Sequence, residues 1–261
     1  MKVFAGSCVI ETLSMCEHIV SKLIEDFKDY KEVDFCYKGS FDKANRTSHL
    51  SYRGLGLEKG LTILETIKNK YKVPVLTDLH LPDQADEVAS VVDYIQIPAF
   101  LCRQTDLIAE SAKACQKYNK VLKIKKAQFL SPKDMANVVK KASEYIPLHK
   151  IILTERGTCF GYNQLIVDMS SFMVMKSLGV TVIHDATHCV QLPGSLKDRT
   201  GGNREHIEVL ARAAVAAGAD GVFLECHPDP DKALSDPSTS LKLNKVKSLI
   251  DSLLRIRSAL R

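Results

Sequence analysis

Six cationic side chains follow short apolar segments of this sequence, where they can bind anions. They are Lys38, Lys43, Arg46, Arg103, Lys125 and Arg156. Arginine offers a fork of donors that matches phosphate and carboxylate groups, and lysine offers a compact charge. We therefore predict a substrate with several negative charges. The alternative is a lattice of ion pairs with Asp42, Asp106 and Glu155, and it applies most to Arg103, which lies just before a predicted helix.

A second set of side chains has the chemistry of metal ligands: Cys8, His188, Glu225 and Asp236. A thiolate, an imidazole and two carboxylates suit Zn²⁺, Fe²⁺ or Mn²⁺ better than Mg²⁺, which prefers oxygen ligands alone. The four residues are far apart in the chain, so their spacing by itself predicts no metal site. Taken singly, Cys8 fits a small buried apolar residue and His188 fits a neutral, hydrogen-bonded side chain.

The elements that must position these residues follow a regular rhythm. Short β-branched segments predict strands at residues 3–10, 33–38, 73–78, 93–97, 121–125, 150–154, 180–185 and 221–225. Amphipathic segments predict helices at residues 14–28, 57–71, 82–91, 105–118, 132–142, 165–177, 204–217 and 241–260. Ser131 and Pro132 have the types expected at a helix N-cap and first turn.

Strict alternation of strands and helices indicates a parallel sheet with helical crossovers. Eight such units in 261 residues favour a closed (β/α)8 TIM barrel, an α/β fold, as one catalytic domain over residues 1–261. The functional loops of such barrels follow the carboxyl ends of the strands. The cations then face one mouth, and the first, seventh and eighth strands become neighbours, which allows the four ligand-type side chains to meet at one metal ion.

Composition limits the classes of partner. The net charge of +5 is modest and the basic residues are scattered, so we expect neither nucleic-acid binding nor a membrane partner. Eight cysteines without a C-x-x-C pair indicate reduced thiols and a cytoplasmic protein. No apolar segment approaches the roughly 20 residues of a membrane-spanning helix.

Six segments, in the same order along the chain, resemble those of the 3-deoxy-D-manno-octulosonate 8-phosphate synthase family. They are KGSFDKANR at 38–46, QIPAFLCRQTD at 96–106, KKAQF at 125–129, TERG at 154–157 followed by FGY at 160–162, DATH at 185–188, and ECHPDP at 225–230. The resemblance covers nearly the whole chain. It implies a homotetrameric barrel that condenses phosphoenolpyruvate with D-arabinose 5-phosphate and water in lipopolysaccharide biosynthesis, without an organic cofactor.

The resemblance also implies roles for individual residues. Those implied to bind phosphoenolpyruvate are Lys38, Ser40, Lys43, Lys125, Gln128 and Arg156. Those implied to bind the sugar phosphate are Asn45, Arg46, Thr47 and, from a neighbouring subunit, Arg103. His80 and Gln191 match lesser positions of the pocket. The residues expected to be catalytic are Lys43, Lys125, His188 and Asp236.

The family has a metal-dependent branch and a branch with Asn in place of the cysteine ligand. The segment AGSCVIE at 5–11 places Cys8 at that position, so this chain resembles the metal-dependent branch. The resemblance then implies a divalent metal held by Cys8, His188, Glu225 and Asp236. Such an ion would orient the sugar aldehyde and water.

Three other functions compete with this interpretation. A 3-deoxy-D-arabino-heptulosonate 7-phosphate synthase uses erythrose 4-phosphate, but its loop reads Lys-Pro-Arg-Thr-Ser, whereas Ala44 and Asn45 separate Lys43 from Arg46 here. A sialic-acid-type synthase would leave Arg46 without a sugar phosphate. A catalytically idle barrel that binds an anionic metabolite is disfavoured because the cations and all four ligand candidates are present.

Overall fold

The computed structural model describes residues 1–46, 48–196 and 199–260. Eight parallel strands form a closed barrel, and the last strand pairs with the first. The strands are β1 Lys2–Val9, β2 Asp34–Ser40, β3 Val75–Asp78, β4 Tyr94–Ile97, β5 Val121–Lys125, β6 Ile151–Glu155, β7 Thr181–Asp185 and β8 Gly221–His227. The predicted (β/α)8 barrel is confirmed.

Each strand is followed by a helix that packs on the outside of the barrel. The helices are α1 Leu13–Phe27, α2 Leu57–Tyr71, α3 Ala85–Val91, α4 Thr105–Tyr118, α5 Met135–Ser143, α6 Ser170–Lys176, α7 Ile207–Ala216 and α8 Val246–Ala259. The Thr12 side chain caps α1 by accepting a hydrogen bond from the Met15 amide. Ser131 caps the 3₁₀ turn Pro132–Asp134 that leads into α5, as its residue type predicts.

Two predicted loops contain small hairpins on the carboxyl side of the barrel. The short hairpin pairs Thr158–Cys159 with Leu165–Ile166, and the long hairpin pairs Gln191–Leu196 with Arg199–Gly202. The prediction of a helix from residue 165 was therefore wrong at its start. Leu165 and Ile166 complete antiparallel pairing instead, because Gly157 and Gly161 adopt positive φ angles that turn the chain back.

The barrel interior is apolar at its base and ionic above. Six inward side chains form the apolar cluster: Phe4, Cys36, Leu76, Ile152, Ile183 and Phe223. Along β8, Phe223 is followed two residues later by the inward-facing Glu225. At Gly6 in β1, a Cβ atom would lie 2.0 Å from the Lys38 carbonyl oxygen, so glycine is required where β1 approaches β2. The ionic side chains of the interior lie above this apolar cluster, toward the carboxyl ends of the strands.

No helix within the described residues is long and apolar enough to cross a membrane. All eight cysteines are free thiols, and only Cys159 is exposed.

His184 on the outer side of β7 leads to a prediction about acid stability. Its ring packs against Phe172 at 5.8 Å, and burial lowers its pKa from 6.5 to about 4. Between pH 6.5 and 4 the unfolded chain therefore binds a proton that the folded chain does not. We therefore expect the free energy of unfolding to decrease as the pH is lowered through this window. The contribution of His184 to this decrease should be about 3 kcal/mol.

Urea unfolding at pH 7 and pH 4.5 checks this prediction. A His184→Gln variant should show a smaller difference between the two pH values than the wild type, whereas His18→Gln, at an exposed histidine, should show the wild-type difference. An unchanged difference in His184→Gln would contradict the assignment.

Candidate active site

A pocket of about 390 Å³ opens at the carboxyl ends of the strands. The predicted site residues that line it are Lys43, Asn45, Arg46, Lys125, Gln128, Arg156, His188, Gln191 and Asp236. The long hairpin covers one side through Pro193 and Gly194. The mouth of the barrel therefore brings together residues that are nearly 200 positions apart in the sequence.

The loop after β2 holds two of the cations. Lys43 donates from Nζ to Ser40 Oγ at 3.1 Å, and its amide bonds to the Arg53 carbonyl at 2.7 Å. Arg53 in turn forms a bidentate ion pair with Asp42. Arg46 donates from Nε to the Tyr52 carbonyl at 2.9 Å. Its Nη2 atom is buried and has no hydrogen-bond partner in the described part of the chain. Lys43 and Arg46 are thus fixed by the backbone of their own loop.

Lys125, Asp185 and His188 form one hydrogen-bonded network. Lys125 Nζ lies 2.7 Å from Asp185 Oδ2 and 3.3 Å from His188 Nδ1. His188 Nδ1 is also 3.0 Å from Asp185 Oδ1. Burial favours the protonated carboxyl, but the charges of His188 and Lys125 outweigh it and hold the pKa of Asp185 well below its ordinary value. Asp185 therefore stays ionised and orients both partners.

Arg156 reaches the pocket from the end of β6. Its Nη2 donates to Gln191 Oε1 at 2.5 Å and to the His188 carbonyl at 3.3 Å. Its Nη1 is buried and has no hydrogen-bond partner among the described residues. Gln191 in turn donates from Nε2 to Asp236 Oδ1 at 3.1 Å. An unpaired guanidinium donor beside the pocket is suited to an anionic oxygen of a ligand.

Three of the four predicted metal ligands form a compact set. One ligand atom from each of Cys8, Glu225 and Asp236 lies within 4.8 Å of the others. Glu225 Oε2 is buried and lacks a hydrogen-bond partner in the described region, although His188 Nε2 lies 3.3 Å away. Glu225 Oε2 is thus a buried acceptor that receives no hydrogen bond from the described residues, and a sulfur atom and a second carboxylate lie beside it. This arrangement fits a divalent cation. The residues present therefore fit the implied metal.

Two further features of the set agree with metal binding. Burial and the charge of Glu225 raise the pKa of Cys8 well above its ordinary value, so the thiol keeps its proton until a cation displaces it. The contact of His188 Nδ1 with Asp185 leaves Nε2 as the free ligand atom, which is the arrangement by which carboxylates orient metal-binding histidines.

Lys38 lies beneath the pocket and does not line it. The side chain is 0% exposed, and Nζ donates to Glu225 Oε1 at 2.5 Å, Cys8 O at 2.5 Å and Ser7 O at 3.0 Å. All three donors of its ammonium group are thus used within the protein. Lys38 thus supports the ligand set from below, and its expected contact with phosphoenolpyruvate stays a prediction.

Three other residues that were predicted for the substrate pocket do not line it. Ser40 is buried and serves as the acceptor for Lys43. His80 lies beside Asp78, with Nε2 and Oδ2 3.5 Å apart. Arg103 lines a separate groove with Asp134 and Lys141, so its contribution to the site of a neighbouring subunit stays a prediction. Thr47 lies outside the described residues.

Asp78, Gln96 and Tyr52 line the pocket, but sequence reasoning gave them no role in the site. Asp78 and Gln96 lie on β3 and β4, so their strand-end positions were a usable signal. Burial opposes the charge of Asp78, but Lys43 and His80 outweigh it and lower the pKa of its carboxyl. Tyr52 gave no such signal, because it lies within a long loop.

Comparisons with known proteins show which family the chain belongs to. A family model described as the DAHP synthetase I family matches residues 1–259.

Three of the similar proteins carry the name 2-dehydro-3-deoxyphosphooctonate aldolase. The relative from Synechococcus sp. is 49% identical over 263 residues, which cover 99% of this chain and 89% of the relative. The one from Desulfatibacillum aliphaticivorans is 48% identical over 255 residues, with coverage of 98% and 91%. The one from Dichelobacter nodosus is 49% identical over 249 residues, with coverage of 95% and 88%. The chain therefore belongs to the DAHP synthetase I family, in which it is similar over nearly its full length to 2-dehydro-3-deoxyphosphooctonate aldolases.

Proposed function

We propose that this protein condenses phosphoenolpyruvate with D-arabinose 5-phosphate and water to give 3-deoxy-D-manno-octulosonate 8-phosphate and phosphate. The observation that carries this proposal is the group of cations Lys43, Lys125 and Arg156 around one pocket, in a chain that is 49% identical to a 2-dehydro-3-deoxyphosphooctonate aldolase. The names of the relatives favour this product over the seven-carbon product of the erythrose 4-phosphate enzyme.

The reaction forms a carbon–carbon and a carbon–oxygen single bond and breaks one carbon–oxygen single bond, while the double bonds of phosphoenolpyruvate and of the aldehyde are replaced by a new C=O bond at carbon 2. Carbon 3 of phosphoenolpyruvate attacks the aldehyde carbon of the sugar, and the aldehyde oxygen takes up a proton. Positive charge develops at carbon 2 and is quenched by the oxygen of water, which loses a proton. The bond between carbon 2 and the phosphate oxygen then breaks, and inorganic phosphate leaves with that oxygen. The hydroxyl on carbon 2 loses its proton to the departing phosphate and becomes the keto group of the product.

The chain's own residues supply position and charge. Lys43, Lys125 and Arg156 hold the carboxylate and phosphate of phosphoenolpyruvate, and Asn45 and Arg46 hold the sugar phosphate. Two anions that repel each other in water are thereby kept close in one orientation, which is the main source of rate enhancement in this proposal. Asp236, at the pocket wall, is placed to accept the proton that water loses.

The set Cys8, His188, Glu225 and Asp236 would hold the divalent metal, with Zn²⁺, Fe²⁺ and Mn²⁺ as the candidate ions. Such an ion would polarise an oxygen of the aldehyde or of water. The support for this assignment is the grouping of three ligand atoms, the unpartnered Glu225 Oε2 and the orientation of His188 by Asp185.

Changing Cys8 tests the metal assignment. Cys8→Ala should lose bound metal and most activity, because it removes one ligand from the set. Cys8→Asn should also bind less metal but keep part of the activity, because Asn occupies this position in the metal-independent branch that the chain resembles. Metal content is measured by elemental analysis after gel filtration, and turnover is measured separately. Equal metal content in wild type and both variants would overturn the assignment.

Consumption of phosphoenolpyruvate tests the proposed reaction. Purified, metal-loaded protein is given arabinose 5-phosphate and erythrose 4-phosphate in parallel assays. We expect loss of phosphoenolpyruvate only with the five-carbon sugar, and an Arg46→Ala variant should raise KM for that sugar more than it lowers kcat. Turnover with the four-carbon sugar alone would reassign the substrate, and no turnover with either sugar would support the idle barrel.

Assembly and location belong to the same proposal. A homotetramer would allow Arg103 of one subunit to reach the sugar phosphate in the pocket of another. The exposed aromatic side chain of Phe100 lies close to Arg103 in the sequence and suits a subunit contact. Phosphorylated substrates and free thiols are consistent with a cytoplasmic enzyme.

A further inference from the structure

Lys123 is a buried lysine to which the proposed reaction gives no role. It lies on β5, two residues before Lys125, and is 0% exposed. Its Nζ lies 4.4 Å from the centroid of the Phe223 ring and 5.7 Å from that of Phe4. The ammonium end is therefore held among aromatic rings, one layer below the pocket.

Lys123 differs from the other two interior lysines beside Phe223. Lys38 is paired with Glu225, and Lys125 is paired with Asp185. No carboxylate of the described residues lies within 4.0 Å of Lys123 Nζ, and its polar contact is Gln96 Oε1 at 2.6 Å. Burial and the charge of Lys125 lower the pKa of Lys123 well below its ordinary value. Lys123 therefore forms no ion pair with a carboxylate of the described residues, and its polar contact is with the side-chain amide of Gln96.

Gln96 connects Lys123 to the pocket. The two residues are directly paired across β4 and β5, and Gln96 lines the pocket while Lys123 does not. The Gln96 side-chain carbonyl oxygen accepts from Lys123, so the amide nitrogen Nε2 lies on the edge of the amide group that faces away from Lys123. No acceptor among the described residues takes a hydrogen bond from Nε2, and this atom is not among the buried polar atoms that lack partners. Gln96 therefore presents a free N–H donor to the pocket.

The orientation of this amide decides the sign of its interaction with an anion. A glutamine amide that is free to rotate by 180° presents either its N–H₂ group or its carbonyl oxygen. The N–H₂ group attracts a carboxylate or phosphate oxygen, whereas the carbonyl oxygen repels it. When a fixed donor such as Lys123 bonds to the carbonyl oxygen, the amide already has the attractive orientation before the ligand arrives. The free-energy cost of ordering the amide on binding is then smaller.

We infer that Lys123 is a positioning residue that holds the Gln96 amide with Nε2 directed at an anionic oxygen of phosphoenolpyruvate. This inference rests on the proposed function, because it needs an anion in the pocket. It assigns Lys123 no contact with the substrate. Its effect on binding should therefore pass through Gln96 alone, and a double-mutant cycle can separate that route from a general structural role.

The experiment measures phosphoenolpyruvate binding by calorimetry to wild type, Lys123→Met, Gln96→Leu and the double variant. Methionine has a similar volume to lysine and lacks the donor. Hydrogen bonds to charged groups contribute enough that we expect Lys123→Met and Gln96→Leu each to weaken binding about 10- to 100-fold. The double variant should bind no more weakly than Gln96→Leu alone. Lys123→Gln, which keeps an N–H donor, should recover part of the affinity.

Thermal unfolding of each variant distinguishes the possible outcomes. If Lys123→Met lowers Tm but binds phosphoenolpyruvate within twofold of wild type, Lys123 is only structural and the inference is wrong. If the losses of the two single variants multiply in the double variant, Lys123 does not act through Gln96, and the inference is again wrong. Wild type that fails to bind phosphoenolpyruvate would instead overturn the proposed function, and with it the inference.

Discussion

Replacing Lys125 with methionine is expected to lower kcat/KM by about 10²- to 10³-fold, the usual loss when a fixed electrostatic donor is removed from a reacting centre. Lys125 is 6% exposed, lines the pocket and is held at 2.7 Å by Asp185. Its charge therefore acts in a setting with little water, where it interacts more strongly with a substrate anion than it would at the surface. Steady-state kinetics with phosphoenolpyruvate as the varied substrate checks this value.

The control is Lys117→Met on α4, whose side chain is 59% exposed and paired with Asp86 far from the pocket. That variant should keep the wild-type kcat/KM. Lys125→Arg retains a positive charge and should lose less than Lys125→Met, although its larger head group does not fit the same contact with Asp185. A kcat/KM of Lys125→Met within threefold of wild type, with an unchanged Tm, would remove Lys125 from the catalytic set.

Replacing Lys38 with methionine is expected to lower the free energy of unfolding by about 3–5 kcal/mol. Lys38 and Glu225 are 0% and 1% exposed, and their charged atoms are 2.5 Å apart. Removing the ammonium leaves the Glu225 carboxylate buried with weaker partners, because Lys43 Nζ is 3.8 Å away. It also leaves the carbonyl oxygens of Ser7 and Cys8 without their donor. Urea unfolding of chelator-treated protein at pH 7 measures the change without a contribution from bound metal.

Lys28→Met is the matched control for this prediction. Lys28 and Glu25 form a pair of similar length, 2.6 Å, but their side chains are 55% and 65% exposed. Exposed pairs contribute little to stability, so this variant should leave the free energy of unfolding nearly unchanged. If Lys38→Met loses no more than Lys28→Met, the buried pair is not a support of the barrel mouth. If Lys38→Met instead stays stable but fails to bind phosphoenolpyruvate, the result would support the predicted contact of Lys38 with phosphoenolpyruvate.

The sequence predicted the fold from local features. Apolar periods of two and of 3.6 residues mark the eight strands and eight helices, and their strict alternation restricts the connections to parallel crossovers. The errors lie where periodicity is ambiguous. Leu165 and Ile166 fit the apolar period of a helix, yet they complete the short hairpin, because its pairing partner at Thr158–Cys159 is seen only in three dimensions.

The sequence also determined which residue types gather at the mouth of the barrel. Lys43, Arg46, Lys125 and Arg156 follow strands, and strand ends of a barrel share one face, so their grouping followed from order along the chain alone. The same reasoning brought Cys8, Glu225 and Asp236 together, because closing the barrel makes β1 and β8 neighbours.

Only the tertiary structure decided how deep each side chain lies and which partner it meets. Lys38, Lys123 and Lys125 all point inward, but one supports Glu225, one bonds to Gln96 and one reaches the pocket. The period of two along a strand predicts whether a side chain points into or out of the barrel. It does not predict the depth, or layer, at which that side chain lies along the barrel axis. That layer depends on the stagger between neighbouring strands and on the rings of Phe4 and Phe223 that fill the base. The contacts of the interior lysines are therefore a property of the closed barrel, whereas their presence inside it is a property of the sequence.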